Sequence, residues 1–218
     1  MLFRSHYRSS PAFERPFCRH CGSTVPDTSG EVVVCPAGAL DNDLEMQPQA
    51  HVFAASKSSM CEITDALQQF DEYPPGFGSA VSAPTHAAAS TESESVQGSC
   101  LCGAVAFEID AAPPRLVNCH CTRCRRSRGA AHGTNFFARL EQLRWTRGAE
   151  KVRTYKLPDA SLFATAFCTD CGSVMPAVFE ALRRYIVPVG SIDTPLTIKP
   201  ATHIYVGSKL YGDRKSVV

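Results

Sequence analysis

Three cysteines, Cys119, Cys121 and Cys124, lie within six residues in the spacing C-x-C-x-x-C. Cysteines this close are poorly placed to form disulfides with one another, because a disulfide requires Cα atoms roughly 4.4–6.8 Å apart and a narrow torsion angle. They are well placed to bind one zinc ion, which takes thiolates at roughly 2.3 Å. A catalytic zinc site keeps three protein ligands and an open fourth position, and no fourth cysteine completes this cluster locally. The spacing therefore favours an open, catalytic zinc site.

The alternative is a closed structural site whose fourth ligand comes from elsewhere in the chain. His120 and His132 are both available. His120 would have to point away from the metal bound by its two neighbours, so His132 is the better candidate. In the open site, an arriving thiol would be deprotonated by the metal.

Two further cysteine pairs lie far apart in the sequence, Cys100 with Cys102 and Cys168 with Cys171. The second pair heads a C-x-x-C-G knuckle, in which glycine permits the positive φ that turns backbone amides toward the sulfurs. Two such pairs are typical of a closed Cys₄ zinc site, which contributes folding energy directly. Buried free thiols are the less favoured interpretation, since C-x-C and C-x-x-C-G would then both be coincidental.

Composition limits the remaining possibilities. The 218 residues suffice for one large or two small domains, and a formal net charge of +1 gives no field that would attract nucleic acid or an anionic membrane. No apolar run approaches the roughly 20 residues needed to cross a bilayer. Eleven cysteines, an odd number, without a secretory hydrophobic region indicate metal binding in a reducing, cytoplasmic compartment. A transit peptide over residues 1–16 is a less favoured interpretation of the arginines there.

The elements that must position these cysteines are predicted to be short strands separated by Gly and Pro, in a mainly β architecture. A helical turn or two is expected within residues 62–70. Residues 78–97, rich in Ala, Ser, Thr and Glu, are expected to form a flexible linker. Strands are expected at residues 31–35 (buried), 50–54, 104–109, 151–157, 162–166, 185–190 and 202–207.

The chain also contains an internal repeat. Phe17-Cys18-x-x-Cys21-Gly22-Ser23 matches Phe167-Cys168-x-x-Cys171-Gly172-Ser173, and His51-Val52-Phe53 matches His203-Ile204-Tyr205. The first copy has nothing like the C-x-C and C-x-C-x-x-C motifs. We therefore expect a C-terminal half-module over residues 1–77, the linker, and a nearly complete module over residues 98–218.

The half-module is not expected to be self-sufficient, because small cores are marginal. Its tail, residues 61–77, is absent from the second copy and is expected to dock onto the C-terminal module. Cys18 and Cys21 have no partner pair in their own half, so we favour a relic or weakly metallated knuckle over zinc binding with Cys35 or Cys61. Competition for Cys100 and Cys102 is a third possibility.

Seven cysteines, in the order G-S-C-x-C-G from Gly98, C-H-C-x-x-C-R from Cys119 and F-C-x-x-C-G-S from Phe167, resemble the glutathione-dependent formaldehyde-activating enzyme family. That family shares its domain with centromere protein V. The resemblance implies a β-tent fold with two zinc ions, a structural one on Cys100, Cys102, Cys168 and Cys171 and a catalytic one on Cys119, Cys121 and Cys124.

The resemblance further implies a carbon–sulfur lyase of the S-(hydroxymethyl)glutathione synthase type, with a glutathione-like thiol and an aldehyde as its small-molecule partners. The rival hypothesis is a non-catalytic zinc scaffold or interaction module. One or two nearby arginines could hold the carboxylates of a glutathione-like ligand, although for each one a solvated surface role is favoured. These arginines are Arg123, Arg125, Arg126 and Arg128.

Overall fold

The computed structural model describes residues 3–11, 13–42, 45–76 and 95–213, and within them the chain is mainly β with a single α-helix. The helix, α1, spans Thr122–Arg128. No described helix has the length and apolar character needed to span a membrane. The strands are β1 (Arg4–Ser10), β2 (Phe13–Cys18), β3 (Ala50–His51), β4 (Gln68–Gln69), β5 (Val96–Ser99), β6 (Ala106–Ile109), β7 (Leu116–Cys119), β8 (Gly133–Arg139), β9 (Leu143–Arg147), β10 (Val152–Lys156), β11 (Ala164–Cys168), β12 (Val174–Met175), β13 (Ala177–Phe179), β14 (Arg184–Pro188) and β15 (Pro200–Ile204).

The largest sheet has five strands in the order β13-β14-β8-β7-β15. Its neighbours are antiparallel except for β15, which runs parallel to β7. Strand β7 is buried along its whole length, and Leu116, Phe136 and Val187 of this sheet are almost completely shielded from solvent. Burying such side chains stabilises the fold by roughly 1.5–3 kcal/mol each. The C-x-C-x-x-C motif thus begins at the last residue of a buried strand.

Two three-stranded sheets, β5-β6-β9 and β10-β11-β12, carry the remaining C-terminal strands. In both sheets every neighbouring pair is antiparallel. The mainly β architecture of small, mostly antiparallel sheets confirms the predicted fold class.

The backbone has similar local geometry at the two C-x-x-C-G knuckles and after the two histidines His51 and His203. Hairpin β1-β2 ends in a knuckle in which the amide of Cys18 donates to the carbonyl of Ser23 at 2.8 Å, and hairpin β10-β11 ends in one in which Cys168 donates to Ser173 at 2.9 Å. The equivalent aromatic residue after each histidine adopts a left-handed conformation before a 3₁₀ turn, at Phe53 (φ 56°) and Tyr205 (φ 57°).

The two knuckles pack against each other reciprocally. Phe17 lies over Gly172, and Phe167 lies over Gly22, so that a Cβ added at either glycine would come within 2.4 Å of the opposing ring. Both phenylalanines are buried, at 1% and 0% exposure. The N-terminal copy therefore shares a core with the C-terminal copy.

This contact gives a test of how firmly the copies are joined. We expect Gly22→Ala to lower the free energy of unfolding by roughly 1–3 kcal/mol through overpacking against Phe167. Gly76→Ala is the matched control, because Gly76 has a similar positive φ (84° against 75°) but would meet no atom within 4 Å. Urea denaturation of both variants separates the free-energy cost of the steric clash from the cost of placing alanine at a positive φ. Equal urea midpoints for the two variants would contradict the reciprocal packing.

Three predicted elements differ in the structure. Residues 31–35 are not a buried strand: Val32 is 74% exposed, and the run makes only an isolated bridge between Asp27 and Val34. Its β-branched side chains have no second layer to pack on, so β propensity alone does not bury them. The strand expected at residues 50–54 ends at His51 because Phe53 turns into the left-handed region.

The helical turn expected within residues 62–70 is also absent from the described segment. The side chain of Asp65 accepts a hydrogen bond from the amide of Leu67 at 2.9 Å and lies 3.0 Å from His51 Nε2, which fixes a turn. Strand β4 then pairs in parallel with β3. This pairing resembles that of β7 with β15, so β4 takes in the first copy the place that β7 takes in the second.

Two expectations concern the segments around the linker. Most of the expected linker, residues 78–97, lies outside the described residues, but its last residues belong to β5, where Val96 is buried. Residues 61–77 are expected to dock onto the C-terminal module, and the contacts lie mainly at residues 59–62. Met60 packs in the core, Ser59 donates to the carbonyl of Leu196 at 2.8 Å, and Glu62 pairs with Lys199.

Candidate metal centres

The four cysteines of the two distant pairs converge on one point. Cys100 and Cys102 lie in a tight turn between β5 and β6, whereas Cys168 ends β11 and Cys171 follows in the knuckle. Their four sulfurs all lie within 4.8 Å of one another. The Cys100–Cys102 and Cys102–Cys168 sulfur distances are 3.4 and 3.8 Å, which are too long for disulfide bonds. Tetrahedral zinc with bonds of about 2.3 Å separates its sulfurs by about 3.8 Å, so the cluster fits that ion.

The backbone around this Cys₄ cluster is fixed by hydrogen bonds. The amide of Val105 donates to the sulfur of Cys100 at 3.2 Å, and Ser173 Oγ accepts from the amide of Leu101 at 3.1 Å. The N-terminal copy contributes as well, since Arg15 donates to the carbonyl of Cys171 at 3.1 Å. Cys100, Cys168 and Cys171 are at most 1% exposed and belong to the main core.

Proximity and burial change the acidity of these thiols. Burial raises the pKa of Cys102 to about 12, and hydrogen bonding with Cys100 and Cys171 raises the pKa of Cys168. Hydrogen bonds from Cys100 and Cys168 lower the pKa of Cys171. Without a cation the cluster therefore favours one thiolate stabilised by its neighbours. Four thiolates at this separation require a positive charge between them, and zinc would supply it.

The second cluster is built where β7 passes into α1. Cys119 is the last residue of β7, Cys121 caps the helix by accepting a hydrogen bond from the amide of Cys124 at 3.4 Å, and Cys124 lies in the first helical turn. Gly129 ends the helix in a left-handed conformation (φ 62°). The three sulfurs lie within 4.8 Å of one another, so the C-x-C-x-x-C spacing does bring its members together.

The thiols of this Cys₃ cluster share protons in the same way. Hydrogen bonds from Cys119 and Cys124 lower the pKa of Cys121 to about 2, whereas hydrogen bonds with Cys119 and Cys121 raise the pKa of the Cys124 thiol. The pKa of Cys119 is also raised, chiefly by its hydrogen bond to Cys121. Binding of a cation to these sulfurs would require the thiols to lose their protons.

A cavity of about 230 Å³ borders all three thiols, whereas a separate cavity of about 510 Å³ borders one thiol of the Cys₄ cluster, Cys100. The wall of the cavity beside the three thiols is mostly apolar and includes Phe137, Leu162, Phe163 and Ile186. Within the part of the chain that the structure describes, no fourth Cys, His, Asp or Glu completes the Cys₃ group. The predicted alternative ligand, His132, instead lies with His120 and Asp213. The open fourth position stays a prediction.

The four arginines near this cluster face different surroundings. Arg123 and Arg128 border the cavity, but Arg128 is held by Asn135 Oδ1 at 2.6 Å. Arg126 points to Asp41 of the N-terminal copy at 2.6 Å, and Arg125 does not border the cavity. Of the two arginines that border the cavity, Arg123 has no side-chain hydrogen bond or ion pair among the described residues.

Two smaller predictions concern side chains near these clusters. Of the aromatic pair, Phe136 is in the core, as expected, and Phe137 lines the cavity. Cys18 and Cys21 join no group of three or more potential ligands among the described residues, and Cys35 and Cys61 are exposed. The relic or weakly metallated knuckle stays a prediction.

Sequence reasoning missed a third cluster, formed by His120, His132 and Asp213. His120 is completely buried and its Nε2 lies 2.8 Å from His203 Nδ1. Burial lowers the pKa of both His120 and His203, so the neutral imidazoles are favoured. The sequence signal that could have indicated this cluster is the alternation C-H-C at the end of β7, because alternate residues of a strand point to opposite sides. No sequence signal indicated that Asp213 would join it.

The chain is similar to one family of known proteins. A Rhodobacter sphaeroides protein of known crystal structure, a structural genomics target, is 30% identical to this chain with a TM-score of 0.37. The match covers 44% of this chain and 85% of the Rhodobacter sphaeroides protein. No curated protein matches the chain. The sequence model of the glutathione-dependent formaldehyde-activating enzyme family matches residues 1–56 and 95–208, well over half of the chain, in both copies of the repeat. The chain therefore belongs to the glutathione-dependent formaldehyde-activating enzyme family.

Proposed function

We propose that this protein is a zinc-dependent carbon–sulfur lyase that forms or cleaves a thiol–aldehyde adduct such as S-hydroxymethylglutathione. The observation that carries the proposal is the Cys₃ cluster, whose three sulfurs converge without a fourth described ligand and border a cavity. The proposed cofactors are one zinc ion on Cys119, Cys121 and Cys124 and one structural zinc ion on the Cys₄ cluster. The proposed domain arrangement is a C-terminal half-module followed by a nearly complete module.

Zinc bound by the three thiolates would lower the pKa of an incoming thiol, so that a nucleophilic sulfur exists near neutral pH. In the synthetic direction the sulfur lone pair forms the C–S bond with the aldehyde carbon. The carbonyl π electrons pass to oxygen, which takes up a proton. In the reverse direction the hydroxyl loses its proton, the C=O bond forms again and the thiolate leaves.

The chain contributes surroundings that suit this step. Phe137, Leu162 and Phe163 make the cavity wall apolar, which keeps water from the reacting atoms and strengthens electrostatic interactions there. Arg123, at the exposed border of the cavity, is placed to bind a carboxylate of glutathione. This arginine orients the thiol rather than reacting.

We expect Arg123→Ala to raise KM for S-hydroxymethylglutathione about tenfold, near the low end of the roughly 1.5–3 kcal/mol of a hydrogen bond to a charged group. Arg126→Ala is the matched control, because Arg126 pairs with Asp41 and does not border the cavity. The rate of adduct formation and cleavage, measured by NMR exchange against the uncatalysed rate, checks both the activity and this difference. No acceleration over the uncatalysed reaction would overturn the proposed function, and equal effects of both substitutions would overturn the role of Arg123.

A further inference from the structure

A third group of potential metal ligands lies on the opposite side of the strand end from the Cys₃ cluster. Nδ1 of His120, Nδ1 of His132 and a carboxylate oxygen of Asp213 lie within 4.8 Å of one another. Neighbouring residues of an extended chain point to opposite sides, so Cys119 and Cys121 face one way while His120 faces the other. The third group is therefore separate from both cysteine clusters.

The contacts within this group are close, yet they are not hydrogen bonds. His120 Nδ1 lies 2.9 Å from Asp213 Oδ2, and His132 Nδ1 lies 3.6 Å from the same oxygen. Nevertheless, the Nδ1 atoms of both histidines are buried without a hydrogen-bond partner among the described residues. Leaving a buried polar atom without a partner costs roughly 1–3 kcal/mol, which makes such atoms uncommon.

We propose that His120, His132 and Asp213 bind a third divalent transition-metal ion of the zinc class. With metal–nitrogen and metal–oxygen bonds of about 2.0–2.1 Å, separations of 2.9 and 3.6 Å correspond to ligand–metal–ligand angles of about 90° and about 120°. The lone pairs of ligands aim at the ion rather than at one another, which accounts for close contacts that are not hydrogen bonds. Imidazole and carboxylate together suit zinc and its neighbours in the first transition series.

The surroundings of His120 support this assignment. Its other ring nitrogen, Nε2, lies 2.8 Å from His203 Nδ1. A metal-bound histidine usually uses its second nitrogen in this way, which fixes the tautomer and the ring orientation. The two rings stack with an interplanar angle of 20°. His203 is therefore a positioning residue for the proposed site.

The site would join three parts of the chain. His120 follows β7, His132 immediately precedes β8, and Asp213 belongs to the 3₁₀ turn Tyr211–Asp213 beyond β15. A cavity of about 390 Å³ borders Asp213 but neither histidine. The ion would therefore link the segment after β15 to the five-stranded sheet, on the side of β7 opposite the Cys₃ cluster.

Zinc content tests the proposal in the full chain, irrespective of how many ions the cysteine clusters hold. After equilibrium dialysis against excess zinc, we expect His132→Ala and Asp213→Asn each to hold one zinc ion per chain fewer than the unsubstituted protein. The matched controls are His6→Ala and Asp41→Asn, which change an exposed histidine and an exposed carboxylate outside the group and are expected to lose none. Both site variants should keep the same circular dichroism spectrum, because neither removes a buried cysteine.

Cobalt substitution supplies a second readout. The difference spectrum between the unsubstituted protein and Asp213→Asn should contain ligand-field bands without a thiolate charge-transfer band, because the proposed site has no sulfur ligand. Equal zinc content in all five proteins, or a difference spectrum dominated by the thiolate band, would overturn the proposal. If the unsubstituted protein shows no adduct turnover but the site variants still hold one zinc ion fewer than it does, the result counts only against the proposed reaction.

Discussion

Cys171→Ser is expected to unfold the C-terminal part of the chain, whereas Cys121→Ser is expected to leave a folded protein that has lost one zinc ion. The physical reason is the position of each cluster. Cys171 is completely buried and belongs to the main core, while Cys121 borders a cavity. A structural zinc site contributes roughly 10–16 kcal/mol to folding in small zinc domains, which is as large as the whole stability of about 5–15 kcal/mol of an ordinary protein.

Cys61→Ser is the matched control for this pair, since Cys61 is exposed and belongs to neither cluster. Far-ultraviolet circular dichroism and zinc content, measured on the same samples, check the expectation. Cys61→Ser should resemble the unsubstituted protein in both. If Cys171→Ser and Cys121→Ser unfold alike, or if both stay folded, the division into a structural and a catalytic site is wrong.

The sequence was most informative where the chemistry is local. A C-x-x-C-G knuckle can be recognised because the glycine conformation and the sulfur spacing are set within a few residues, and Cys168 to Gly172 adopt that form. The C-x-C-x-x-C run is equally local, because a strand end and one helical turn bring its sulfurs together. The mainly β fold followed from short strands punctuated by glycine and proline.

Features that depend on distant partners could not be predicted in the same way. Val32 and Val34 have high β propensity, but their burial depends on a second layer that is missing at this place. The turn at Asp65 depends on His51, 14 residues earlier. The third group needs Asp213 beside His120, although 93 residues separate them. No local spacing rule indicates such contacts.

The internal repeat includes features that the sequence predicted and features that it did not. Matching motifs around Phe17 and Phe167 predicted two related segments, and their hairpins have the same hydrogen-bond pattern. The motifs did not indicate that each phenylalanine would lie over the glycine of the other copy. They also did not show that β4 would pair with β3, because a two-residue strand carries almost no periodic signal.

The second large effect expected concerns the open position of the Cys₃ cluster. Three thiolates leave tetrahedral zinc one ligand short, so a small thiol should bind there and lose its proton. The cavity beside the cluster offers room for it. Thiol binding is the step on which the proposed reaction depends, because the uncatalysed addition of thiols to aldehydes is itself appreciable.

The measurement that tests this directly is the absorption spectrum of the cobalt-substituted protein during titration with glutathione. We expect the thiolate charge-transfer band to grow by the contribution of one added sulfur and to saturate. The same titration of Cys121→Ser should lack that saturating increase, because the open site is then incomplete. No spectral change in the unsubstituted protein at saturating glutathione would show a closed site, and the chain would then be a zinc scaffold rather than a carbon–sulfur lyase.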